Sequence, residues 1–141
     1  MFEGKGSILV TGAAGFIGSN FVIQLVSQGG RKIVNLDKLT YAGNRSNLTL
    51  IEHDPNYSFV HGDICDVELL RNVLSAHRPS AIVHFAAESH VDRSIAGPKA
   101  FLNTNINGTF TLLEAAKEHH SQLPRKEQDE FRFLHVSTDE V

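Results

Sequence analysis

Cysteine is almost missing from this sequence: Cys65 is its one thiol. An intramolecular disulfide is therefore excluded, and a reducing cytoplasm is the simplest setting. Blocks of like charge are missing as well. The 13 basic and 16 acidic residues are interspersed and sum to a formal net charge of -3, which leaves no basic patch or stripe for a nucleic-acid partner. No apolar run approaches the ~20 residues of a membrane span. The start, MFEGKGSILVTG, enters a structural motif directly, without the pattern of a signal or transit peptide. Neither a nucleic acid nor a membrane is expected as a partner. Internal repeats and low-complexity tracts are absent from the sequence. Histidine is plentiful, with 8 residues, but lacks ligand spacing, so no metal is expected. The adjacent His119 and His120, in a polar stretch, read as a solvated helix end.

What the chain does contain is the material of one globular domain. With 141 residues, 41% of them hydrophobic and 21% charged, it can build one sizeable core but not two. Short apolar runs alternate with longer amphipathic stretches. Strands are predicted at residues 7–11, 32–36, 57–61, 81–85 and 131–136. Helices are predicted at 16–28, briefly near 46–53, after a capping Asp66, and from Pro98 to about His120. A charged loop is expected over 122–130. Strands that alternate with helices, each apolar on both faces, indicate a parallel sheet covered on both sides. Right-handed crossovers then give a doubly wound α/β domain of the Rossmann type, with its ligand crevice at the carboxyl ends of the strands.

The unusual residues fall at those ends. After the first strand comes Thr11-Gly12-Ala13-Ala14-Gly15-Phe16-Ile17-Gly18, with glycines spaced one residue wider at the front than the common dinucleotide fingerprint. The physics is unchanged: a turn without side chains lets the backbone approach a pyrophosphate, and the helix N-terminus behind it favours negative charge. A glycine-rich turn with no ligand is the alternative. Asp37 ends the second strand 19 positions after Gly18, where a carboxylate can accept from an adenosine ribose and disfavours a 2′-phosphate, so NAD is expected over NADP. Taken singly, Asp37 could also be a turn-initiating aspartate. Asp63 ends the third strand and could accept from an adenine amine, or equally serve a turn.

Two further stretches break local rules. Asn103, Thr104, Asn105, Asn107 and Gly108 occupy five of six positions inside the predicted long helix, although such residues are poor helix formers. Violations of this kind concentrate at functional sites. After the fourth strand, Ala86 and Ala87 leave space for a nicotinamide half, and Glu88, Ser89 and His90 follow at the mouth of the crevice. Ordinary loop chemistry is the alternative for both. The chain ends Ser137-Thr138-Asp139-Glu140-Val141. In extended backbone Asp139 and Glu140 point opposite ways, so one can act as acid and the other as base. Without context they could form a solvated acidic turn.

The motifs TGAAGFIGSN, NLDKLTYAGNRSNL, GDICD, HFAAESHVDRSIAGP, NTNINGT and STDEV together resemble the extended short-chain dehydrogenase/reductases, the NAD-dependent epimerase/dehydratase family. The chain is most similar there to the sugar-nucleotide 4,6-dehydratases that act on dTDP-glucose in the dTDP-rhamnose pathway. The resemblance implies that Gly12, Gly15, Phe16, Ile17 and Gly18 meet the cofactor at the glycine turn. It implies that Asp37, Lys38, Leu39 and Thr40 hold the adenosine ribose, and that Asp63 and Ile64 lie at the adenine. Phe85, Ala86, Ala87, Glu88, Ser89 and Thr104 would line the rest of the cofactor path, with Ser89 and Thr138 facing the sugar. Asp139 would donate a proton to the departing C6 hydroxyl, Glu140 would remove the C5 proton, and Thr138 would bond the C4 oxygen.

The same resemblance implies a Tyr-x-x-x-Lys pair, a sixth strand and a sugar-binding domain, all expected beyond Val141. Neither Tyr41 nor Tyr57 has a lysine four residues on. The 141 residues, one cofactor domain ending after its fifth strand, are therefore expected to bind NAD without turnover. A homodimer is the family's expected assembly. Related readings are a UDP-glucose 4,6-dehydratase and a 4-epimerase. The Asp139-Glu140 pair argues against the epimerase, whose relatives carry small residues there. A non-catalytic NAD-binding module would explain the glycine turn and Asp37 but not Thr138-Asp139-Glu140.

Overall fold

The computed structural model describes residues 6–137. Five parallel strands form one sheet in the order β3-β2-β1-β4-β5: β1 (Ser7–Thr11), β2 (Ile33–Asp37), β3 (Tyr57–His61), β4 (Pro79–His84) and β5 (Arg132–His135). The order runs outward from β1 to β3, then jumps back across β1 to β4. The crevice of a doubly wound sheet opens where the order reverses, at the carboxyl ends of β1 and β4. The expected parallel α/β fold is present.

Side chains alternate between the two faces of the central strands. Ile8 and Val10 of β1, Ile33 of β2, and Ala81 and Val83 of β4 pack with Val22 and Val26 of α1 (Phe16–Gln28). Leu9, Val34, Leu36 and Ile82 point the other way. They pack on Leu70, Val73 and Leu74 of α2 (Val67–His77) and Leu112, Ala115 and Ala116 of α5 (Thr109–Gln122). Fully buried Leu and Ile side chains contribute roughly 1.5–3 kcal/mol each, so these two layers account for the sheet's cohesion. Burial on both faces holds for β1 and β2, and nearly throughout β4. It fails for β3 and β5, the outer strands in the described residues, whose side chains are half-buried or exposed.

Several predicted boundaries move. The second strand starts and ends one residue later than expected, and the fourth begins at Pro79. The short helix after β2 is a single 3-10 turn, Arg45–Leu48, capped by the Asn44 side chain. Residues 122–130 are not a loop throughout: Arg125–Glu130 form helix α6. Arg, Lys, Glu and Gln are good helix formers, and an Arg125–Asp129 pair one turn apart supports them, so high charge was a poor sign of irregularity.

The long helix is interrupted. Helix α3 (Val91–Ala96) precedes it, in a stretch where the sequence pattern predicts no element. The helix then starts as α4 (Pro98–Phe101), widens into a π-helical segment over Leu102–Gly108, and resumes as α5. That segment coincides with the run of poor helix formers. His119 is also not solvated: it is 7% exposed and its Nε2 meets the Pro79 carbonyl at 3.0 Å. Burial holds its imidazole below the ordinary histidine range, against the opposing effect of that carbonyl.

Candidate functional site

Thr11 ends β1 and the chain turns sharply at Gly12, whose φ is 76°. A Cβ on Gly12 would lie 2.5 Å from the Ala86 nitrogen, so only glycine lets the ends of β1 and β4 meet at the crevice. Gly18 is equally constrained, because its Cβ would lie 2.6 Å from the Gly12 carbonyl oxygen. Helix α1 thus packs directly on the turn. Gly15 is different: its Cβ would meet nothing closer than 3.5 Å. Among the described residues, no neighbour demands a glycine there.

Gly15 is also the N-cap of α1, with no side-chain cap and no acidic residue in the first turn. The leading N–H groups of a helix have no intrahelical acceptor, so this terminus presents unsatisfied donors and the positive end of the helix dipole. Phe16 and Ile17 stand over it, 83% and 64% exposed. The arrangement suits an anion approached through backbone.

Asp37 is 7% exposed. Its Oδ2 accepts from Ala14 N–H at 2.8 Å and its Oδ1 from Leu39 N–H at 2.8 Å. Each oxygen retains accepting capacity for a ligand hydroxyl. Leu39 adopts a φ of 56°, a left-handed conformation that disfavours a branched side chain. Gly43 closes over the same carboxylate, since a Cβ there would come within 2.9 Å of Asp37 Oδ1. Thr40 accepts from Gly43 N–H and so completes the loop.

Lys38 Nζ pairs with Asp63 Oδ2 at 2.6 Å, joining the ends of β2 and β3. Burial tends to raise the Asp63 carboxyl, but the Lys38 bond and the Cys65 N–H together hold it below the usual carboxylate range. The same bond holds the Lys38 ammonium above its ordinary value. Asp63 is therefore a salt-bridged carboxylate as well as a turn residue. Ile64 is buried against Gly108, so its side chain belongs to the core.

Beyond β4, Phe85 packs against Phe21 of α1 with the rings tilted at 60° and their centroids 5.3 Å apart. Ala87 and Ser89 are exposed, and Ala86 and Glu88 half-buried. Glu88 is held by its backbone: its N–H donates to Asn105 Oδ1 at 2.8 Å, and its carbonyl accepts from Asn105 Nδ2 at 2.9 Å. Thr104 precedes Asn105 in the π-helical segment, half-buried. Tyr41 and His90 meet edge to face at 6.1 Å, so the loops after β2 and β4 touch.

The glycine turn, Asp37 to Thr40, Asp63, Phe85 to Ser89 and Thr104 therefore converge on the carboxyl edge of the sheet. Thr138, Asp139 and Glu140 lie outside the described residues. Sequence reasoning missed two groups. Asn105 was noticed as a poor helix former but not as a clamp on Glu88. His84 was read as part of a strand, yet its ring is 1% exposed and bridges Thr11 Oγ1 at 2.7 Å to Thr109 Oγ1 at 3.0 Å. A histidine inside a buried apolar run was the available signal. Among the described residues, no cluster of three or more His, Cys, Asp or Glu is placed to hold a metal ion.

The sheet and its edge define a doubly wound α/β domain of the Rossmann type. A family model described as GDP-mannose 4,6 dehydratase matches residues 9–141, and the chain belongs to that family. Within it the chain is 57% identical over 133 residues to the dTDP-glucose 4,6-dehydratase of Xanthomonas campestris pv. campestris strain B100, covering 94% of this chain and 38% of that protein. It is 52% identical over 134 residues to dTDP-glucose 4,6-dehydratase 1 of Escherichia coli K12, covering 95% and 37%. Among solved structures, the dTDP-glucose 4,6-dehydratase of Streptomyces venezuelae with NAD and TYD bound superimposes with a TM-score of 0.84. The two are 51% identical, over 96% of this chain and 40% of that one. The chain thus spans about two fifths of the length of the relatives it matches.

Proposed function

We propose that this chain forms the NAD-binding part of a sugar-nucleotide 4,6-dehydratase that converts dTDP-glucose to dTDP-4-dehydro-6-deoxy-glucose in dTDP-rhamnose biosynthesis. The observation that carries the cofactor reading is Gly15. Packing among the described residues does not require a glycine there, yet the position caps a helix with free donors, which fits a pyrophosphate brought close to backbone. The Asp37 carboxylate 23 residues beyond Ala14 suits a ribose and opposes a 2′-phosphate. The relatives named above as dTDP-glucose 4,6-dehydratases support the substrate.

When bound, NAD would supply the hydride acceptor for oxidation at C4 and later return the hydride at C6. Gly12 to Gly18 would bind the pyrophosphate, Asp37 to Thr40 the ribose, Asp63 and Ile64 the adenine, and Phe85 to Ser89 with Thr104 the remaining path. Glu140 would remove the C5 proton and Asp139 would protonate the C6 hydroxyl as it leaves as water. Thr138 would donate to the C4 oxygen, where negative charge develops, and Ser89 would hold the sugar.

Residues 1–141 contain no Tyr-x-x-x-Lys pair to take the C4 hydroxyl proton. A polypeptide of these residues is expected to bind NAD and not to turn over. Conversion of dTDP-glucose by it would overturn that reading, and equal affinity for NADP would overturn the role given to Asp37. In an enzyme of the family's full length, Glu140→Gln should abolish solvent exchange at C5. Undiminished exchange would remove Glu140 as the base.

The exposed apolar side chains Leu102, Ile106, Phe110 and Leu113 recur along the π-helical segment and α5, and they support a homodimer built on that face. No helix of the described residues is long and apolar enough to cross a membrane. With one thiol and no like-charge block, a cytoplasmic enzyme acting on a small nucleotide sugar is the consistent setting.

A further inference from the structure

The glycine turn has little bonding of its own. Inside it the backbone bond is Gly15 N–H to the Gly12 carbonyl, long at 3.4 Å. Glycine backbone is permissive, so something else must fix the shape that presents the donors of α1. Gly12 N–H is anchored on the Leu36 carbonyl at 3.0 Å, and the middle of the turn is held at Ala14, through the peptide groups on either side of its Cα. Its N–H donates to Asp37 Oδ2 at 2.8 Å. Its carbonyl accepts twice, from Asn44 N–H at 3.0 Å and from Asn47 Nδ2 at 2.9 Å.

The two asparagines sit in the 3-10 turn after β2, and each has a distinct part. Asn44 caps that turn through its side chain, accepting from Ser46 N–H at 3.0 Å, and contributes backbone to Ala14. Asn47 contributes side chain, so it alone of the two can be removed from Ala14 by substitution. It is exposed, and no element of the core rests on it.

We infer that Asn47 is a positioning residue for the cofactor: through the Ala14 carbonyl it sets the phosphate-binding turn in its binding shape before any ligand arrives. Asn47 couples the two ends of the crevice, because it holds the carbonyl of the residue whose N–H Asp37 holds. The inference rests on the NAD reading proposed above.

The test compares the unsubstituted chain with Asn47→Ala and Asn47→Asp. Asparagine donates to a carbonyl, alanine does not, and aspartate sets an acceptor against an acceptor. Calorimetric titration with NAD, ADP and adenosine should show a ~3–10-fold weaker affinity for NAD and ADP in the alanine variant, the span of one lost hydrogen bond. Adenosine, which has no phosphate for the turn, should bind all three proteins alike. The aspartate variant should bind NAD more weakly than the alanine variant. Thermal melting should agree among the three within a few degrees, and amide exchange at Ala14 should speed up in both variants without ligand. Unchanged exchange at Ala14, or an equal loss for adenosine and NAD with a fallen melting temperature, would overturn the inference. Failure of the unsubstituted chain to bind NAD would overturn the cofactor reading and this inference together. NAD binding unaffected by either substitution would overturn the inference alone.

Discussion

Asn105 closes a two-bond ring on the backbone of Glu88, accepting from its N–H at 2.8 Å and donating to its carbonyl at 2.9 Å across 17 residues of sequence. An asparagine side chain matches an extended backbone in this way because it carries a donor and an acceptor side by side. The π-helical segment over Leu102–Gly108 carries Asn105 to the loop that follows β4. Asn105→Asp keeps the acceptor and loses the donor, and Asn105→Ala loses both. At about 1 kcal/mol per net hydrogen bond, losing both should make the alanine variant bind NAD up to ~30-fold more weakly. ADP, which ends before the loop, should bind as before. Equal losses for NAD and ADP in calorimetric titrations would show that the clamp does not act on the nicotinamide half.

The three glycines of the turn should separate folding from binding. Gly12→Ala adds a Cβ 2.5 Å from the Ala86 nitrogen at a φ of 76°, and Gly18→Ala adds one 2.6 Å from the Gly12 carbonyl. Backbone cannot yield cheaply at either place, so both should lower the melting temperature. Each is expected to cost ~2 kcal/mol or more. Gly15→Ala meets only ordinary contacts, the nearest at 3.5 Å. It should melt like the parent while losing most of its affinity for NAD. A Gly15→Ala variant that binds NAD normally would remove the central support for the cofactor reading.

The fold was legible because the central strands carry their burial in the sequence. Ile8, Leu9 and Val10 serve opposite faces in turn, and the glycine turn and Asp37 mark the ends of two adjacent strands. Other features were hidden for identifiable reasons. The run Asn103 to Gly108 announced a departure from the α-helix but not its form, since composition does not distinguish a widened turn from a broken one. The pair His119-His120 was misread as one unit, although helical spacing puts His119 in line with Leu112 and Ala115 on the buried face. Asn47 had no local signal at all. Its role depends on Ala14, 33 residues earlier, and contact at that separation exists only once the sheet has brought β1 and β2 together.

Gly43 offers a test of how tightly Asp37 must be held. Its Cβ would lie 2.9 Å from Asp37 Oδ1 and 3.2 Å from the Leu39 Cα. The carboxylate is the part that can give way. Gly43→Ala should therefore displace Asp37 from Ala14 and Leu39, weakening NAD several-fold with less effect on stability. The preference for NAD over NADP, measured as a ratio of dissociation constants, should shrink as well. An unchanged ratio would mean that the Asp37 oxygens do not discriminate at the 2′ position.

His84 should make the fold sensitive to acid. Burial first, and the neighbouring His135 second, push its imidazole down to about 4. The His135 ring lies 4.8 Å away, and Thr11 and Thr109 occupy the two ring nitrogens. In the unfolded chain a histidine titrates near ~6.5. Between these values the unfolded state binds a proton that the folded state excludes, so stability rises with pH. The contribution is complete above ~6.5 and is lost as pH falls toward the folded value, a total of roughly 3 kcal/mol at ~1.4 kcal/mol per unit. His119, held low by burial, acts in the same direction. His84→Gln keeps a donor and an acceptor between the two threonines but does not titrate. Urea unfolding at pH 7 and pH 4.5 should show the parent losing about 2 kcal/mol more than this variant over the interval. Parallel losses in the two proteins would assign the acid sensitivity to other groups and leave His84 a packing residue.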